Sequence, residues 1–121
     1  MKSEIDLTPQ EIVDGMTSKN RMLTQKNDEY VVLSEKRAQA ERAYNMAVAR
    51  ETLIQKAEGQ SVTIIDKVVR GDTLVADLKY DMDVADGVYK ACLNAIKALV
   101  IGVDSYRSLL AWKKAEMLRQ E

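Results

Sequence analysis

Residues Val75 to Met117 read VADLKYDMDVADGVYKACLNAIKALVIGVDSYRSLLAWKKAEM. Steps of three and four from Val75 pick out Leu78, Met82, Ala85, Tyr89, Cys92, Ile96, Leu99, Val103, Tyr106, Leu110, Lys113 and Met117. Only Lys113 in that series is polar. A period near 3.5 residues, sustained this long, predicts a helix packed along a coiled-coil or bundle seam. The middle of the stretch, Ala91 to Val103, is apolar on most of its circumference, with Asn94 and Lys97 its strongly polar residues. It is too short to cross about 30 Å of hydrocarbon, so no membrane span is expected. One partner helix cannot enclose a helix that is apolar nearly all round. The remaining helices are therefore expected from a second copy of the chain, making a homodimer or something larger. Tyr89, Cys92, Ile96, Leu99, Gly102, Val103, Tyr106 and Leu110 are the expected oligomer interface.

Upstream of this helix, Gly71 marks a stop, and Asp72 or Thr73 is placed to cap a helix over residues 72–119. Before it, Val62 to Val69 reads VTIIDKVV, rich in β-branched residues. With no second strand signal to pair with, it is assigned to a short helix within 61–70. Gly59 reads as the end of a first helix over residues 8–58. That helix starts at Thr8-Pro9-Gln10-Glu11, where Thr8 caps, Pro9 occupies the first turn and Glu11 completes a capping box. Leu7 and Val13 are placed to form a hydrophobic staple across this start. Ile12, Met16, Leu23, Tyr30, Leu33, Ala40, Tyr44, Ala47 and Ile54 follow the same seam template. Lys19, Lys26, Arg37 and Glu51 interrupt it, and their aliphatic stems are expected to cover apolar surface while the charges reach water. Gly15 is a weak point in this helix. Gly87 and Gly102, costly within the last one, are expected where helices approach closely. Residues 1–7 are read as a tail. Met1 to Asp6 has no apolar run behind a basic start, so no signal peptide is expected.

The fold expected is all-α: an elongated antiparallel hairpin of two long helices with a short connecting helix, one domain over 1–121. Helices of roughly 50 residues would each be about 75 Å long at 1.5 Å per residue.

Composition narrows function by exclusion. Of 121 residues, 46% are apolar and 31% charged, which suits a chain that builds a core. The 18 basic and 19 acidic side chains leave a net charge of -1, against a protein held to DNA or an anionic membrane by bulk charge. There is no His, so Ser-His and Cys-His pairs and His-bearing zinc sites are absent. The single Cys allows no intramolecular disulfide and points to a reducing compartment. No catalytic, cofactor or metal-ligating residue is assigned, and a non-enzymatic role is expected.

The remaining candidate sites have ordinary readings beside them. Asp77, Asp81, Asp83 and Asp86 could gather a divalent cation, but they read better as a solvated face near a helix N-terminus. Lys36, Arg37, Arg42 and Arg50 could meet phosphates, with Tyr30 or Tyr44 for stacking. Glu35, Glu41 and Glu51 alternate with them, as on a salt-bridged surface, so any nucleic-acid binding is expected to be weak. Cys92 reads as a small buried hydrophobe. Met16 and Met82 read as core filling, and Trp112 as either a bundle-end or an exposed contact.

The segment Val68 to Met117 resembles small all-helical proteins encoded in phage and prophage early regions, near recombination and single-strand-binding genes. The Gly71-Asp72 helix start, Tyr89-Lys90-Ala91 and the Ser108-Leu109-Leu110 ending carry the likeness, and LTPQEIV (residues 7–13) looks similar too. The resemblance implies a phage or prophage origin and a cytoplasmic, non-enzymatic role; it transfers no site residue. The expected function is thus an accessory protein of phage DNA recombination or replication, acting through contacts with an unidentified protein partner. The alternatives are an oligomeric nucleic-acid-binding protein and a phage inhibitor of a host or defence protein.

Overall fold

The computed structural model describes residues 6–120. Three helices follow in order, α1 (Pro9–Ala57), α2 (Val62–Gly71) and α3 (Thr73–Gln120), with no strand among the described residues. The fold is all-α, as expected, and each helix boundary lies within one residue of its expected position. Residues 1–5 of the expected tail, and with them most of the Met1 to Asp6 reading, lie outside the described residues.

Local chemistry accounts for each boundary. The Glu11 backbone N–H donates to Thr8 Oγ1 at 3.2 Å, and the Thr8 hydroxyl in turn donates to the Glu11 carboxylate at 3.2 Å. An N-terminal N–H with no partner inside the helix is thereby satisfied. At the other end of α1, Gly59 has φ +81, where a side chain would be strained. Gln60 N–H reaches back to the Gln55 carbonyl at 3.2 Å, and Gly59 N–H to that of Lys56 at 3.1 Å. These two bonds make a Schellman closure. The Asp72 carboxylate accepts the Val75 N–H at 3.1 Å, which makes Asp72 rather than Thr73 the cap of α3. The β-branched segment is indeed helical: Ile65 and Val69, one turn apart, are its buried residues.

Contacts divide the chain into two compact units, Tyr30–Ala91 and the residues up to Glu29 together with those from Cys92 onward. In the Tyr30–Ala91 unit, Ala47, Ile65, Val69 and Val75 form a buried cluster, with Tyr44, Val48 and Leu78 packed against it. Three elements therefore share one core, and each fully buried Val or Ile there contributes about 1.5–3 kcal/mol. Tyr30 meets Tyr89 and Arg37 meets Asp86. In the other unit Ile12, Cys92, Leu99 and Val103 are buried, and Lys26 meets Cys92. Falling numbers on α1 thus match rising numbers on α3, so the two helices are antiparallel within each unit.

Four expectations about individual positions are corrected. Counting from the Thr8 cap, the fourth helical residue is Ile12, and Ile12 is buried completely while Val13 is exposed. Gln55 is buried and Ile54 exposed. A straight helix drifts about 20° per heptad against a 3.5-residue count, enough by the last turn of α1 to bring Gln55 onto the seam. Gln55 satisfies its amide by donating to the Glu51 carboxylate at 2.9 Å. Gly87 has open space where a side chain would be, so it mediates no close approach. Met117 is exposed, because the register that sets Gly15 against Tyr106 leaves no residue of α1 opposite it.

Candidate interaction surfaces

Of the residues expected at an oligomer interface, Tyr89, Cys92, Gly102 and Tyr106 meet α1 of the same chain. In the terminal unit Cys92, Leu99 and Val103 are buried, and Ile96, Tyr106 and Leu110 are half-buried. The Cys92 thiol donates to the Lys26 carbonyl oxygen at 3.5 Å. Gly102 lies under the stem of Lys19, whose Cδ would stand 2.8 Å from a methyl placed there. The Tyr106 ring covers Gly15, with Cζ 2.7 Å from where a methyl would sit. A 3.5-residue period reveals that a seam exists but not which helix fills it. Here α1 fills it.

In the Tyr30–Ala91 unit the seam carries a polar and aromatic cluster. The Tyr30 and Tyr89 hydroxyls are hydrogen-bonded at 2.9 Å, with ring centroids 5.3 Å apart and tilted by 36°. The hydrogen bond to Tyr89 is the first cause holding the Tyr30 phenol above its usual range. The Arg37 guanidinium lies 4.7 Å from the centre of the Tyr89 ring, a cation–π distance, and its Nε is 2.8 Å from Asp86 Oδ1. Lys90 Nζ is 2.8 Å from Asp86 Oδ2. The Lys90 hydrogen bond, more than the charges of Lys90 and Arg37, holds the Asp86 carboxyl below the usual carboxylate range against its partial desolvation.

This cluster redistributes the candidate nucleic-acid residues. Arg37 is tied to Asp86 and Tyr89, while Lys36, Arg42 and Arg50 are exposed and have no ion partner within 4 Å. The four do not form one stripe. Among the acidic residues, Asp83 pairs with Lys79 at 3.1 Å and Asp86 with Arg37 and Lys90. No group of His, Cys, Asp or Glu able to hold a metal ion occurs among the described residues. No described helix is long and apolar enough to cross a membrane.

The two flanks of the Tyr30–Ala91 hairpin differ in chemistry. One is lined by Arg37, Glu41, Lys79, Met82, Asp83 and Asp86 and settles most of its charges internally. The other is lined by Leu33 and Lys36 of α1 and by Tyr80, Asp81, Val84, Ala85 and Val88 of α3. There Tyr80 is 70% exposed, and Val84 and Val88 are 47% exposed each. A third apolar surface lies on α2, where Val62, Ile64 and Val68 remain exposed beside the buried Ile65 and Val69. Sequence reasoning missed the Tyr80, Val84, Val88 set. It recurs with the same helical spacing as the seam but off to one side, a second stripe hidden by the stronger one. Trp112 is exposed as well, with the Lys113 ammonium 5.8 Å from its ring centre.

No family model, curated protein or solved structure matches this chain. The surfaces themselves therefore carry the functional argument.

Proposed function

We propose that this chain is a non-catalytic interaction protein that associates with itself and with a partner protein through apolar helical surfaces. Its proposed setting, drawn from the likeness of Val68 to Met117 to phage early-region proteins, is phage DNA recombination or replication. The observation that supports the reading best is the incomplete cover of the apolar side of α2. Ile65 and Val69 complete the core, yet on the same apolar side Val62 remains 84% exposed and Ile64 48% exposed. A ten-residue helix that served only to close a hairpin would need no more apolar width than the core covers. Contiguous exposed apolar surface of this kind marks protein contacts more often than it occurs idly.

The test is affinity capture from phage-infected host cells with the wild-type chain and with Ile64→Asp as baits, with and without nuclease. The reading expects one protein to be retained by the wild type at moderate salt, to survive nuclease and to be lost by Ile64→Asp. Capture that disappears with nuclease would put a nucleic-acid-binding protein in its place.

A further inference from the structure

We propose that the apolar flank of the Tyr30–Ala91 unit, lined by Leu33, Lys36, Tyr80, Asp81, Val84 and Val88, is the face on which a second copy of this chain docks about a two-fold axis. The proposal rests on the reading of the chain as self-associating and names the surface and the symmetry. The flank is a groove of about 330 Å³ between α1 and α3. Tyr80, Val84 and Val88 rise along it one turn apart, more exposed than their chemistry favours.

Charge identifies the occupant. On the opposite flank Lys79 pairs with Asp83, and Arg37 and Lys90 with Asp86, so those charges ask for no partner. On the apolar flank Lys36 stands on the α1 side and Asp81 on the α3 side, and neither has an ion partner within 4 Å. In a two-fold contact residue i of one copy meets residue j of the other, and j meets i. A surface with a cation on one rim and an anion on the other complements itself under that operation, giving two reciprocal Lys36–Asp81 pairs around a Tyr80, Val84 and Val88 centre. The apolar centre supplies affinity and the rim charges fix the register.

Size exclusion with light scattering on the full chain at micromolar concentration tests this, with far-UV circular dichroism checking helicity. Wild type should have twice the mass of one chain, and Val84→Asp the mass of one chain at unchanged helicity. Lys36→Asp and Asp81→Lys should each weaken the dimer by about tenfold or more, and the double variant should recover most of that loss, as paired charges do in double-mutant cycles. If Val84→Asp loses helicity, the charge exchange decides alone. A dimeric Val84→Asp, or no recovery in the double variant, overturns this surface and leaves self-association standing. A monomeric wild type overturns both.

Discussion

At the residue scale, two glycines in similar helical settings should respond differently to the same methyl group. Gly87→Ala meets open space, so it should stabilise the protein by up to about 1 kcal/mol through helix propensity alone. Gly15→Ala gains the same propensity but drives a methyl to 2.7 Å from Tyr106 Cζ in a packed seam. Overpacking of that kind costs about 1–3 kcal/mol, so Gly15→Ala should be neutral to destabilising. Thermal melts at matched concentration compare the two; a stabilised Gly15→Ala would mean that the ring moves aside freely. The sequence marked Gly15 only as a weak point, because the residue above it is 91 positions away and no local pattern announces it. Asp86 gives a second residue-scale test. Its carboxyl titrates lower in the folded chain than in the unfolded one, where a value of about 3.9 applies. Its stabilising effect is therefore fully present above that value and is lost as pH falls through the folded value. The melting-temperature gap between wild type and Asp86→Asn should be widest near neutral pH and should close below about pH 4. A gap that persists in acid would show that the side chain acts by packing rather than by charge.

At the scale of elements, the helix ends were legible because their chemistry is local. Thr8 with Glu11, Gly59 with its positive φ, and Asp72 each work through bonds to residues at most five positions away. Two substitutions test those assignments. Gly59→Ala places a side chain in the left-handed region, which costs roughly 1–2 kcal/mol, although no neighbouring atom obstructs it. Asp72→Ala removes the acceptor for the Val75 N–H and should cost about 0.5–2 kcal/mol. Both are read from denaturant or thermal unfolding, and an unchanged Asp72→Ala would move the cap to Thr73. The seam was legible in its position and illegible in its partner. Tyr89, Cys92, Leu99 and Val103 repeat as they would against a second chain, yet Tyr30 and Lys26 of α1 are what two of them meet. Periodicity reports which side of a helix is covered. It carries no information about whether the covering helix lies in the same molecule.

At the scale of the whole molecule, charge decides between a protein partner and a nucleic-acid partner. The chain carries 18 basic and 19 acidic side chains, so no long-range field draws it to phosphate. Of the basic residues that the sequence offered for phosphate contact, Arg37 is turned inward to Asp86 at 2.8 Å and to the Tyr89 ring. The tyrosines offered for stacking are engaged too: Tyr30 is bonded to Tyr89, and Tyr44 packs against the core with Lys79 5.7 Å from its ring centre. Lys36, Arg42 and Arg50 remain, and three phosphate contacts at a slope near one per contact give only a shallow salt dependence. Generic single- or double-stranded DNA should therefore bind no more tightly than about 10⁻⁶ M at physiological salt. Fluorescence anisotropy with a labelled oligonucleotide measures this directly, and Lys36→Asp, Arg42→Ala and Arg50→Ala should each change the weak signal little. A nanomolar, steeply salt-dependent affinity would require a basic surface that no arrangement of these residues within one chain supplies. It would then have to come from several chains whose Arg42 and Arg50 side chains are brought side by side.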